Sequence, residues 1–275
     1  MKPIALGLAL ALIFFSCTDK TKAPDPSPSP TSVTPTPAPS AGIPMGQKLK
    51  IFYGQDPTTL KKGWGDVNVY DTDSRLYPQF RVKVTEAAKA APNATNCGYI
   101  PIGWSDSKSI HIAPSKYVHI LTMAEMKVMV DDWLTLIKSG KPCVFGDMLG
   151  FDYAYNSSGK SESQSAKDAF RARQLEIADY IHSKGAVFFW NAWRMEDLPW
   201  DKMGSLDLVL LEDAQSDTVR EYKRWDYAQK HRKPGTLIYA ITTGRHDKES
   251  LEAAAKKYGI SGIQFKTNNA FENEE

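Results

Sequence analysis

Short apolar segments alternate with helical patterns along most of the chain, and this alternation limits the possible folds more than any other feature. Eight segments are rich in β-branched or aromatic residues and are bounded by turn residues, which is typical of buried strands. They are KIFYG (50–54), VNVYD (67–71), CGYIPIG (97–103), CVFGD (143–147), AVFFWNA (186–192), LDLVLLE (206–212), TLIYAIT (236–242) and SGIQFK (261–266).

Helical patterns fill four of the gaps between these strands, at 122–140, 165–185, 217–235 and 247–259. Each has apolar residues at three-to-four spacing and ends at a glycine or a Pro-Gly pair. Strand and helix in alternation indicate a parallel sheet, and eight near-continuous apolar strands favour a closed (β/α)8 TIM barrel. An open doubly wound sheet is the alternative, although no G-x-G-x-x-G sequence follows the first strand.

The N-terminal segment predicts that the protein is exported from the cytoplasm. Residues 1–16, MKPIALGLALALIFFS, combine one early lysine with an apolar run, as a signal peptide does. The run leads through FFSC into Cys17, so we expect this cysteine to be lipidated and to anchor the protein to a membrane of the cell envelope, outside the cytoplasm. Ordinary secretion with an incidental cysteine is the alternative. Residues 17–46 predict a Pro/Ser/Thr-rich linker, and 47–275 have the size of one large domain.

Charge, cysteine and histidine content exclude several classes of function. The chain has 34 Lys and Arg against 32 Asp and Glu, without a basic stripe, so no nucleic-acid partner is expected. Cys97 and Cys143 could form a disulfide, but two buried thiols are slightly favoured because adjacent parallel strands rarely offer bridging geometry. The five histidines are scattered, without ligand spacing or a neighbouring nucleophile. We therefore expect no metal.

Polar and aromatic residues collect at the carboxyl ends of the predicted strands, where barrel enzymes place their active sites. In strand order they are Tyr53, Gln55, Asp71, Asp73, Trp104, Asp106, Asp147, Asn191, Trp193, Glu212, Asp213, Thr242, Arg245 and Lys266.

Asp147 and Glu212 are the predicted catalytic pair. Side chains alternate across a strand, so Asp147 shares a face with Cys143 and Phe145, and Glu212 shares one with Leu206, Leu208 and Leu210. If those apolar residues fill the barrel, both acids point into its mouth, with Trp190 or Trp193 as an apolar wall. Paired carboxyls of this kind carry out glycoside hydrolysis. Each acid could instead cap a loop or helix, and Arg245 and Lys266 could be rim cations.

Ordered strings on the first six strands resemble one known family. They are IFYG, VNVYDTD, GYIPIGWSD, VFGDMLGFDY, FFWNAW and LVLLEDAQS, and the likeness spans nearly all of 49–266. The chain resembles the endo-α-1,4-polygalactosaminidases, glycoside hydrolase family 114, and related exopolysaccharide hydrolases.

This resemblance implies a (β/α)8 barrel that cleaves α-1,4-linked galactosamine polymers without a cofactor. The acid of the family's fourth strand falls on Asp147, and the glutamate of its sixth strand falls on Glu212. Its acids of the second strand fall on Asp71 and Asp73, and its asparagine of the fifth strand falls on Asn191. The chain departs from the family pattern at Gly146, at Asp152, which lies two positions late, and at Asp106.

The residues expected to bind the sugar are Tyr53, Asp71, Asp73, Trp104, Asp152, Asn191, Trp193 and Arg245. A mouth rich in acids suits a cationic amino-sugar polymer. A non-catalytic carbohydrate-binding lipoprotein on a degenerate barrel is the alternative function.

Overall fold

Twelve strands are present in the computed structural model, which describes residues 45–52, 65–70, 80–103, 105–113, 116–119, 121–138, 140–151, 155–156, 159–160, 163–212, 219–242 and 247–265. The strands are β1 Leu49–Phe52, β2 Val67–Tyr70, β3 Thr95–Pro101, β4 Ser105–Ala113, β5 Lys116–His119, β6 Lys141–Asp147, β7 Tyr155–Asn156, β8 Gly159–Lys160, β9 Val187–Asn191, β10 Leu208–Leu211, β11 Leu237–Ile241 and β12 Gly262–Gln264. Eight of them form one parallel sheet in the order β1-β2-β3-β6-β9-β10-β11-β12, and all eight were predicted. The other four form two short antiparallel hairpins, β4-β5 and β7-β8, which were not.

The two ends of the sheet meet, which makes it a barrel. The Gln47 N–H donates to the Ser261 carbonyl at 2.9 Å, and the Ile51 N–H donates to Gln264 Oε1 at 2.9 Å. A Cβ at position 262 would lie 2.1 Å from the Gln47 carbonyl oxygen, so the close approach requires Gly262. The predicted (β/α)8 TIM-barrel fold is therefore confirmed, and the open doubly wound sheet is excluded.

Five α-helices are described: α1 Phe80–Ala90, α2 Met123–Leu136, α3 Gln164–Ser183, α4 Val219–His231 and α5 Lys248–Tyr258. The last four were predicted, and α1 was missed. Helix α2 begins at a capping box, in which Thr122 and Glu125 satisfy each other's backbone N–H groups. It ends before the predicted Gly140, because the backbone turns to an extended conformation at Ile137. Between β9 and β10 a 3-10 helix, Met195–Asp197, takes the place of an α-helix.

Alternating side chains divide the core into two layers. The inner layer fills the barrel with Leu49, Ile51, Val67, Val69, Cys97, Cys143, Phe145, Val187, Phe189, Leu208, Leu210, Tyr239 and Ile241. The outer layer lies between the strands and the helices and includes Trp133, Phe188, Trp190 and Trp225. The predicted inward face of β10 is correct at Leu208 and Leu210 but wrong at Leu206, which precedes the strand and is exposed.

A disulfide joins Cys97 to Cys143 inside the barrel, so the preference for two free thiols was wrong. The two cysteines are directly opposite each other in the β3-β6 ladder, and their Cα atoms lie only 4.2 Å apart. Both are fully buried. Because both residues point into the barrel and are paired in the ladder, their sulfur atoms are close enough to bond, which was not expected for neighbouring parallel strands.

The predicted signal peptide, Cys17 and almost all of the linker lie outside the described residues. Among the helices that the structure describes, none is both long and apolar enough to cross a lipid bilayer.

Candidate active site at the carboxyl ends of the strands

Four of the ten residues predicted to act in catalysis or sugar binding can be placed: Asp147, Asn191, Trp193 and Glu212. The other six, Tyr53, Asp71, Asp73, Trp104, Asp152 and Arg245, lie outside the described residues. Gln55, Asp213 and Lys266 lie outside them too, and the side chain of Asp106 is not described.

Asp147 is the last residue of β6, two positions beyond the inward-facing Phe145. Its carboxyl group accepts three hydrogen bonds. The Tyr99 hydroxyl donates to Oδ2 at 2.8 Å, while Asn191 Nδ2 and the Met148 N–H donate to Oδ1 at 2.7 and 2.8 Å. Donors from β3, β9 and the following loop thus fix the carboxyl group in one orientation.

Burial raises the pKa of Asp147 above its ordinary value, because the surrounding protein removes water from the charged form. The hydrogen bonds from Tyr99, Met148 and Asn191 act in the opposite direction and offset only part of that effect. Asp147 therefore exchanges its proton at a higher pH than an ordinary aspartate, as a catalytic carboxyl group does.

The backbone beside Asp147 has unusual local geometry. Met148 has φ 59°, the one positive value among the described non-glycine residues, and its N–H donates to Asp147. On the other side, a Cβ at Gly146 would lie 2.4 Å from the Phe188 ring. The Phe188 ring thus fills the space that a side chain at position 146 would need, so the close packing requires glycine there.

Asn191 is 2 % exposed and ends β9, the strand between β6 and β10. Its amide nitrogen is bound to Asp147, but its Oδ1 is buried and accepts no hydrogen bond from the described part of the chain. A buried acceptor in this state is costly unless a donor arrives. Asn191 thus lies beside Asp147, and its amide presents an acceptor that a ligand hydroxyl or amino group can satisfy.

Glu212 follows β10, two residues after the inward-facing Leu210, and is partly buried. Arg224 on α4 donates from its guanidinium group to the Glu212 carbonyl at 2.8 Å. The same guanidinium lies 5.4 Å from the ring centroid of Trp193, which is 37 % exposed. Arg224, which was not predicted, thus links the backbone of Glu212 to an accessible aromatic face.

Trp190 cannot form a wall of the mouth, so that expectation was wrong. Its side chain is fully buried in the outer layer, and its Nε1 donates to Asp207 Oδ2 at 2.8 Å. The strand places it on the face opposite to Asn191. Alternation from Asn191 could have predicted this.

Tyr99 is the most important residue that the sequence reading missed. Its ring stacks on Phe145 with centroids 6.0 Å apart, and its hydroxyl reaches Asp147. The predicted site residues lie at or after the last positions of the strands, whereas Tyr99 lies two positions before the end of β3. The period of two from the inward-facing Cys97 would have placed it in the barrel.

Side chains from neighbouring elements hold the loop after β6. Gln174 on α3 donates to the Leu149 carbonyl, and Asp197 accepts the Phe151 N–H at 2.9 Å. The Leu149 N–H donates to the Asn191 carbonyl at 3.1 Å. These contacts give Asp147 and Met148 a rigid support.

In the part of the chain that the structure describes, no three His, Cys, Asp or Glu side chains are grouped so that they could hold a metal ion.

Comparison with known proteins gives no family: no family model matches, and no curated protein matches. Among solved structures, an L-ribulose 3-epimerase matches with a TM-score of 0.47 and 11 % identity over 84 % of each chain. A D-psicose 3-epimerase from Clostridium cellulolyticum H10, solved with D-tagatose, matches with a TM-score of 0.41 and 10 % identity over 76 % of this chain and 78 % of the other. Similarity at this level says nothing about activity.

Proposed function

We propose that this protein is an extracytoplasmic glycoside hydrolase, with Asp147 and Glu212 as its catalytic carboxyl pair. Its proposed substrate is a bacterial polysaccharide that contains α-1,4-linked galactosamine. The observation that carries the proposal is the Asp147 carboxyl group, held at the carboxyl end of β6 by three donors, with a pKa raised by burial.

This geometry suits glycoside hydrolysis in two respects. A fixed carboxyl group can meet a glycosidic bond in one orientation, which lowers the entropic part of the barrier. A pKa above the ordinary aspartate value brings proton exchange closer to the working pH. Glu212 follows the next-but-one strand and supplies the second carboxyl group that the reaction requires.

The substrate class rests on the family resemblance and on the side chains at the mouth. The unsatisfied Asn191 Oδ1 can accept from a hydroxyl or ammonium group of the sugar, and Trp193 offers an exposed ring for a sugar face. The further predicted contacts are Tyr53, Asp71, Asp73, Trp104, Asp152 and Arg245. The disulfide supports an oxidising compartment, in keeping with export and a lipid anchor at Cys17.

The test is the release of reducing ends from de-N-acetylated and N-acetylated galactosamine polymers, with other bacterial polysaccharides as a panel. Asp147→Asn and Glu212→Gln should each lower kcat by about 10³-fold, the range typical of a lost acid or base. Matched controls are Asp201→Asn, whose side chain is 77 % exposed, and Glu252→Gln on the exposed face of α5. Neither control should alter the rate.

Two results would contradict the proposal. Activity that survives both substitutions would show that the catalytic pair is elsewhere. Binding of the polymers without any release of reducing ends would favour the carbohydrate-binding lipoprotein instead.

With activity present, the anomeric form of the first product distinguishes retention from inversion. Azide rescue of glycine variants at the two positions then identifies the nucleophile of a retaining enzyme.

A further inference from the structure

The two oxygens of Asp147 have different partners. Oδ1 accepts from the Met148 N–H and from Asn191 Nδ2, whereas Oδ2 is bound by the Tyr99 hydroxyl. A backbone N–H can only donate, so a proton on Oδ1 would point at a hydrogen that cannot accept it. A hydroxyl can donate to an ionised oxygen or accept from a protonated one. Among the described partners, only that of Oδ2 suits both states.

We propose that Tyr99 is a positioning residue that places the exchangeable proton of Asp147 on Oδ2 and stabilises the ionised form of that oxygen. The inference deepens the proposed function, on which its catalytic meaning rests. When Asp147 is ionised, the hydroxyl donates to Oδ2. When Asp147 is protonated on Oδ2, the hydroxyl rotates and accepts, so the contact is kept in both states.

Tyr99 is the one ionisable side chain on β3 and β9, the strands that flank β6, since Cys97 is in the disulfide. Other ionisable groups lie farther along the chain: the 3-10 helix carries Glu196 and Asp197, Glu212 follows β10, and α3 carries several charged residues, Arg173 among them. Asp197 and Arg173 bind backbone groups of adjacent loops.

Tyr99→Phe isolates the hydroxyl, because it keeps the ring that stacks on Phe145. Loss of one donor to a carboxylate should shift the protonation equilibrium of Asp147 about tenfold toward the protonated form. Tyr239→Phe is the matched control. It removes another hydroxyl from the inner layer, one that binds Gln47 instead of Asp147. Tyr99→Leu is a second variant without the hydroxyl.

The measurement is a ¹³C NMR titration of the aspartate carboxyl carbons, with the Asp147 signal assigned by its loss in Asp147→Asn. In both Tyr99 variants the midpoint of Asp147 should move to higher pH, and in Tyr239→Phe it should not. An unchanged midpoint in the Tyr99 variants would overturn the inference. The titration needs no substrate, so it remains decisive even if no polysaccharide is cleaved, an outcome that would count against the proposed function alone.

The pH profile of hydrolysis adds the catalytic readout. One limb of the kcat/KM profile should move to higher pH in Tyr99→Phe, while a purely structural role would lower activity evenly at every pH. Movement of the acid limb identifies Asp147 as the group that acts ionised. Movement of the basic limb identifies it as the group that acts protonated.

Discussion

Reduction of the Cys97–Cys143 disulfide should destabilise the barrel by a calculable amount. The bond closes a loop of 46 residues. Chain entropy for a loop of that length gives about 4 kcal/mol of stabilisation, because the cross-link restricts the unfolded chain. For a domain of this size, a loss of about 4 kcal/mol corresponds to a decrease in Tm of about 8–16 °C.

The assay compares urea unfolding with and without a reductant. Both cysteines are fully buried, so reduction proceeds through the unfolded state and the samples need incubation until the transition no longer changes. Both arms carry Cys17→Ala, which removes the third cysteine of the chain. Reduced protein keeps both sulfur atoms. The difference in the free energy of unfolding between oxidised and reduced protein therefore measures the cross-link alone, without the cost of the cavity that a Cys→Ala substitution would create.

Equal stability of the oxidised and reduced proteins would refute the reasoning. It would mean that the reduced unfolded chain is already as restricted as the cross-linked one, or that the folded protein contains no Cys97–Cys143 disulfide. Thiol titration of the unfolded oxidised protein separates the two cases, since a bonded pair gives no free thiol in this background.

Two further predictions concern the two ends of the barrel. Asn191→Ala removes a donor to Asp147 and should lower kcat/KM by about 100-fold through loss of orientation; an unchanged kcat/KM would remove Asn191 from the site. At the amino end, the hydrogen bond with Asp207 raises the pKa of His182 above 6.5. Its contribution to stability is therefore full below pH 6.5 and is lost as the pH rises through the raised pKa. His182→Gln should remove that part of the pH dependence in urea unfolding; an identical dependence in both proteins would contradict the assignment.

The strands could be predicted because each buried strand of a parallel barrel is apolar on both faces and ends at a turn. The position of Asp147 followed from the same alternation, through Cys143 and Phe145. The disulfide was misjudged because its geometry depends on register, and register between neighbouring strands leaves no local signal. That two residues lie opposite each other is a property of the assembled sheet.

The donors around Asp147 were the least predictable part of the site. Tyr99 and Asn191 come from strands far away in sequence, at separations of 48 and 44 residues. The third donor is the backbone N–H of Met148, a residue whose positive φ its side chain does not favour. Helix α1 was missed for a different reason, since the first half of its sequence FRVKVTEAAKA contains three β-branched residues, which weaken a helical pattern.

Two aspartates at opposite ends of the barrel, one buried and one half-buried, have contrasting surroundings. Asp207, 1 % exposed before β10, accepts from the backbone of Phe188 and Gly204 and from Trp190 Nε1, and His182 Nε2 lies 2.8 Å from it. A cation is thus available to balance its charge. Asp147 has three neutral donors, a raised pKa and a strained neighbour at Met148. The backbone strain at Met148 and the lack of a cation beside Asp147 in the described residues both cost folding free energy, which the stability of the rest of the barrel offsets. Both features lie at the carboxyl ends of the strands, where barrel enzymes carry out their reactions.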